Sequence, residues 1–179
     1  ETNNLRDLAR AFILKRTKKQ AGIKMTEVHL DKNIVSWNNR KEMELSEEIH
    51  SALTFSRVSA KKNNQLVTAF GSGPLTLLLR ARQTCIYPKL MAKRINKMVQ
   101  NGFIGDYSDY KEAVDHSSKL DYAVNKIIER KDNACGKLIF CHFREEIDEI
   151  ALRLRASGMT NVATFDGRTT NSKRYDILN

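Results

Sequence analysis

Two short stretches of the chain contain residue types suited to holding a phosphate. His142, Phe143 and Arg144 run into a segment with helical spacing, so their amides and one guanidinium would gather at a helix N-terminus. Free N–H groups and the helix dipole favour an anion there. Gly167, Arg168, Thr169 and Thr170 offer close backbone approach, a cation and two hydroxyl donors, with Arg174 one turn further on. Each stretch also has a plainer reading. Phe143 could cap a core with Arg144 in water, Asp166-Gly167 is common turn chemistry, and Thr169 or Thr170 could simply cap a helix. Lys119 is a third candidate. Lys89, Lys93, Arg94 and Lys97 share one basic helical stretch that suits either a polyanion or solvent, whereas Arg80, Arg82 and Gln83 accompany a leucine-rich face and read as structural.

The overall charge narrows the choice of partner. With 31 Lys and Arg against 21 Asp and Glu, the formal net charge is +10, and a basic surface gains affinity for polyanions by releasing their counterions. Nucleic acid heads that list. Hydrophobic residues make up 41% and charged residues 29%, which suits a globular domain rather than a disordered chain. No apolar run approaches the roughly 20 residues that span a bilayer, and the first residues have no secretory character, so an intracellular setting is expected. The three cysteines lack C-x-x-C spacing and the four histidines are scattered, so neither a disulfide framework nor a metal site is expected. There is no G-x-x-x-x-G-K-[ST] loop: Gly71-Ser72-Gly73-Pro74 loses an amide at Pro74 and has no Lys-Ser or Lys-Thr after it. No catalytic residue and no cofactor are therefore expected within this chain.

The elements that must position these residues follow from periodicity. Leu5, Leu8, Ala9, Phe12 and Ile13 mark a helix ending in Lys15-Arg16-Thr17-Lys18-Lys19. Residues 25–35 suggest an extended segment, and Met43, Leu45, Ile49, Ala52 and Leu53 a helix reaching about Val58. Ser59 to Gly73 reads as a loop. Pro74 opens a helix to about Ile86 whose run Leu77-Leu78-Leu79 should be buried, and Lys89 to about Val99 forms another, stopped by Asn101-Gly102. Leu120, Ala123, Val124, Ile127 and Ile128 mark a helix, Leu138 to Phe143 a strand, Ile147 to Leu154 a helix, Val162 to Phe165 a second strand, and Tyr175 to Leu178 part of a last helix. Strand, helix, strand predicts a right-handed βαβ unit with a parallel pair.

Four blocks in order resemble the SWI/SNF-type branch of superfamily-two helicase-like ATPases. They are Ala11-Phe12-Ile13-Leu14-Lys15-Arg16-Thr17-Lys18, Leu78 through Pro88, Ser117-Ser118-Lys119-Leu120, and Lys137-Leu138-Ile139-Phe140-Cys141-His142-Phe143 with Asp166-Gly167 and Arg174. Tyr87 stands where the family usually has histidine. The Leu77 to Pro88 run most resembles the post-replication-repair and viral transactivator-like branches. The resemblance implies an α/β fold, a mostly helical region followed by the start of a RecA-like parallel βαβ lobe. The expected divisions are a connector helix at 1–22, helical protrusions at 23–115 and the start of the second lobe at 116–179. It also implies a parent motor, nuclear or in the host compartment of a virus, that uses ATP and magnesium to translocate on duplex DNA. This piece would add protrusions and backbone contacts and lean on the first RecA-like lobe. The alternative is a non-catalytic basic helical adaptor for nucleic acid or protein, which gains if residues 116–179 fold without parallel strands.

Overall fold

The computed structural model describes residues 7–9, 12–13, 16–51, 74–103, 105 and 108–178, with the backbone alone at 74, 108, 109 and 178. The Ser59–Gly73 loop, the far end of the helix expected to reach Val58, and parts of the first helix and first family block lie outside these residues. The chain divides into two compact units, Glu1–Ile34 and Val35–Asn179. In the first, Thr17 and Gln20 close a turn: the Thr17 amide donates to Gln20 Oε1 at 2.9 Å and the Gln20 amide to Thr17 Oγ1 at 3.2 Å. Residues 23–34 follow without regular structure, and Met25, Val28 and Leu30 are exposed.

The second unit is built from helices: α1 (Arg40–Ser51), α2 (Pro74–Ile86), a 3₁₀ turn (Pro88–Met91), α3 (Ala92–Gln100), α4 (Ser108–Asp115), α5 (Ser118–Glu129), α6 (Arg144–Ala156) and α7 (Asn171–Leu178). Leu45, Ile49, Ala81, Met91, Ile95, Met98, Ala113 and Val114 form a first core from α1, α2, the 3₁₀ turn, α3 and α4. A second core gathers Tyr87 with Leu120 and Val124 of α5 and Ile150 and Leu154 of α6, backed by Cys141, Met159 and Val162. The segment from Ala81 to Met91 serves both cores, because Ala81 and Met91 face the first while Ile86, Tyr87 and Leu90 face the second.

Local chemistry sets several of the helix ends. Pro74 opens α2, where its missing N–H costs nothing. Asn39 caps α1, its Oδ1 accepting the amides of Lys41 at 2.7 Å and Glu42 at 3.1 Å. Asn101 caps α3, and Gly102 turns the chain away at a φ of 70° that suits glycine. Helix α6 carries Glu145 and Glu146 in its first turn and Arg153 and Arg155 in its last, which complements its dipole.

The expected α/β fold is not what forms. Among the described residues there is no strand, so there is no parallel pair and no RecA-like βαβ lobe. Residues 137–141 and 161–165 run without a hydrogen-bonded ladder, which a strand cannot do without. In the second segment a side chain takes a carbonyl that a neighbouring strand would have used: Arg155 Nη2 donates to the Val162 carbonyl at 2.8 Å. Leu138 and Phe140 stand 81% and 88% exposed, while Cys141 packs against the second core. The apolar run reflects extended propensity and one-sided packing, not burial between two layers. The leucine run is corrected too. Leu78 and Leu79 are exposed, and α2 buries itself through Ala81 and Thr84. Helix α4 has no counterpart in the expected elements.

A buried polar contact bridges the expected boundary near residue 116. Glu42 of α1, only 1% exposed, accepts the Ser118 amide at 2.9 and 3.2 Å and the Ser118 hydroxyl as well. The Ser118 hydroxyl oxygen in turn accepts the Asn38 amide at 2.8 Å. The Glu42 carboxyl thus caps α5 from another helix. Around the second core, Arg153 links Asp121 of α5 to Glu149 of its own helix, the latter at 2.6 Å. Burial, and then the Glu149 carboxylate that its hydroxyl meets, push the Tyr87 phenol up to about 12. Burial alone would raise Glu149, but hydrogen bonds from Arg153 and Tyr87 hold it below the usual range.

Candidate nucleic-acid interface

The two stretches chosen from sequence do come together. Arg144 opens α6, and a Cβ at Gly167 would lie 3.4 Å from Arg144 Nη2, so a side chain there would press on the guanidinium. His142 is exposed, with its ring edge-on to Phe143 at 6.4 Å. The amides of His142 and Phe143 are already used, donating to Glu146 Oε2 at 2.9 and 3.2 Å. An intramolecular carboxyl therefore occupies the approach where an external anion was expected. The same Glu146, after burial, helps push the Cys141 thiol up to about 11.

The 166–170 loop is similarly self-contained. Arg168 grips Asp148 of α6 with both Nη atoms, at 2.8 and 2.7 Å. Its Nε reaches Asp166 Oδ2 at 3.0 Å, and Nη2 reaches the same atom at 2.5 Å. Four of its five N–H groups are thereby committed. Arg168 holds the Asp166 carboxyl down to about 2 and lowers Asp148 as well, while those carboxylates raise the Arg168 guanidinium further. Thr169 Oγ1 accepts the Asp166 amide at 3.0 Å. Thr170 leads α7, its carbonyl accepting the Arg174 amide at 2.9 Å. Arg174 donates Nε to the Thr169 carbonyl at 2.9 Å and lies over the Phe165 ring. The loop's charge is largely cancelled from within.

The basic stretch at α3 is the opposite case. Lys89, Lys93 and Lys97 are exposed, and Arg94 is half-buried. Lys93 and Lys97 fall on one face of the helix, and among the described residues no carboxylate pairs with either. Burial and then the neighbouring Arg94 lower the Arg80 guanidinium, which places two cations close together between α2 and α3. Among the described residues Arg80 keeps only Gln83 as a hydrogen-bond partner, at 2.7 Å. Lys119 is exposed beside the buried Ser118.

One sequence signal explains this difference. Between Glu48 and Asp106 lie nine of the chain's 31 Lys and Arg and none of its 21 Asp and Glu. Candidate lysines there have no acidic neighbours along the chain to cancel them. Among the described residues no cluster of His, Cys, Asp and Glu could hold a metal, and no helix is long and apolar enough to cross a membrane. The Asp148-Glu149 pair does not fit ATP-bound magnesium, because its carboxylates are committed to Arg168 and Arg153. No protein-family model matches the chain, and no curated protein or solved structure gives a significant match.

Proposed function

We propose that the chain is a non-catalytic basic helical module that binds duplex DNA through its phosphates, with the α3 face as the principal contact. The observation that carries this reading is the segregation of charge. Acid-free sequence covers α2 and α3, and Lys93 and Lys97 stand on its surface without a carboxylate partner among the described residues. Phosphate contacts of this kind position a protein without reading sequence. The order of the four sequence blocks supports a second reading, in which the module belongs to an ATP-dependent DNA translocase and serves as its helical protrusion. Both readings share the DNA contact.

Titration of the full chain against two unrelated duplexes across ionic strength tests the contact. Affinity should fall steeply with salt and be similar for both sequences. Replacing Lys93 and Lys97 together with Gln should reduce the salt slope by about 2, since each phosphate contact contributes roughly 0.9. Arg168→Gln should change affinity far less. A salt-independent affinity, or loss on Arg168→Gln alone, overturns the placement.

A further inference from the structure

Beyond the end of α5 the chain turns through residues 130–136 and frames an open groove of about 290 Å³, apart from both α3 and the 166–170 loop. Lys126, Ile127, Arg130, Asn133, Cys135 and Lys137 line it. Lys126 and Arg130 are four residues apart, on the same side of the helix end. Lys137 follows the turn in the chain and also lines the groove. Its Nζ donates to Asn133 Oδ1 at 2.9 Å and to the Cys135 carbonyl at 3.0 Å, which fixes the ammonium in position.

A helix C-terminus normally repels anions through its unpaired carbonyls. Here those carbonyls are partly consumed inside the turn, because the amides of Arg130 and Lys131 donate to Ile127 and Ile128, both at 3.1 Å. Glu129 is the one acid in contact with a lining cation among the described residues. It lies 3.7 Å from Lys126, and both side chains are open to solvent, so the pair is weak. Arg130 is exposed and makes no ion pair with a described residue. Ala134 sits at the tip with a φ of 54°, a left-handed conformation that costs a non-glycine residue. Asn133 Oδ1 holds that turn by accepting the Cys135 amide at 3.1 Å. Asp132 also lies in the turn but does not line the groove.

We propose that this groove is a binding site for a small free anion carrying two linked phosphate groups. Arg130 supplies a planar fork for one phosphate, and Lys126 and Lys137 act as point charges on the other. Three lining cations against one screened carboxylate call for a ligand with more than one negative charge. The groove has room for more than a single phosphate, and it is bounded by one turn of chain rather than laid along a face that could track a duplex. The site is separate from α3 and does not depend on the DNA reading.

Inorganic pyrophosphate serves as the probe and the exposed Cys135 thiol as the reporter. The full chain is alkylated with iodoacetamide, and mass spectrometry separates Cys135 from the half-buried Cys85 and Cys141. Pyrophosphate should slow alkylation of Cys135 saturably, and sodium chloride at matched ionic strength should not. Arg130→Gln, an exposed change, should raise the protecting concentration about tenfold, as loss of a forked charged contact implies. Arg130→Lys should recover part of it, and Lys93→Gln should leave protection unchanged. Equal slowing by chloride, no slowing at all, or a midpoint unmoved by Arg130→Gln overturns the site. So does protection by duplex DNA without protection by pyrophosphate, which would assign the groove to the nucleic-acid contact.

Discussion

The helices around the first core and the region built on α5 and α6 solve the same packing problem to different extents. In the first, Ile49, Met91 and Ile95 are fully buried by four helices and a 3₁₀ turn. In the second, helices cover one side only, and Leu138 and Phe140 project from an unladdered segment. The cations singled out from sequence differ in a complementary way. Cations on the first region's surface at Lys93 and Lys97 are unneutralised by described residues, whereas Arg153, Arg168 and Arg174 of the second are tied to carboxylates, a carbonyl or an aromatic face. Basic composition therefore does not locate a polyanion contact. What decides it is whether acidic neighbours come close in the fold.

The largest expected effects test the packing contrast. Ile95→Ala should cost about 3 kcal/mol, within the usual range for truncating a buried aliphatic side chain. Phe140→Ser should stay within about 0.5 kcal/mol, as exposed substitutions do. Denaturant titration of both variants gives the comparison. If Phe140→Ser destabilises as much as Ile95→Ala, the segment is covered in solution and the contrast fails.

A smaller effect separates the regions by pH. The Tyr87 phenol is raised from 10.0 to about 12 in the folded chain. The unfolded chain therefore loses that proton first, and stability is intact below pH 10 and declines as pH rises toward 12. Tyr87→Phe should flatten that decline and cost about 1 kcal/mol at neutral pH through the lost hydrogen bond to Glu149. An alkaline limb unchanged in this variant would show that the loss originates elsewhere.

The smallest effect is confined to the 166–170 loop. Asp166 is held down to about 2 by Arg168, and an unfolded aspartate titrates near about 3.9. The loop's contribution is therefore fully present above about pH 4 and is lost as pH falls toward 2. The Thr169 amide signal should shift through that window, and Arg168→Gln, which removes the cation beside Asp166, should move its midpoint upward. Signals that titrate as in an unfolded peptide would dissolve the Arg168 clamp.

The ends of elements were readable from sequence because their causes are local. Pro74, Asn101-Gly102, the Glu145 to Arg155 charge order and Thr170 each act within a turn or two of the helix they bound. Helix α4 carries its own local signal: Tyr110, Ala113 and Val114 recur at helical spacing and all meet the first core. The pairing of strands was not readable, since Leu138 to Phe143 has the same residues whether or not a ladder forms. The same limit applied to the site. Glycine, arginine and threonine at 167–170 are phosphate chemistry in isolation, but Asp148 lies 20 residues from Arg168 and cancels it only in the folded chain. Charge segregation between Glu48 and Asp106 was visible throughout and is the better guide.

The contact between Glu42 and Ser118 has a kinetic consequence. It joins residues 76 apart in sequence, so it cannot form until the intervening chain has been drawn into a closed loop. Contacts of that separation slow the search for the native state, and a carboxyl group desolvated without its donors is costly. Its formation should come late in refolding, after α1 and α5 have acquired their own turns. Cutting the chain between α4 and α5 would leave Glu42 without its partner on one fragment and the first turn of α5 uncapped on the other. The two pieces should refold far better mixed than apart, as fragments that complement one another do, with recovery that depends on their concentration.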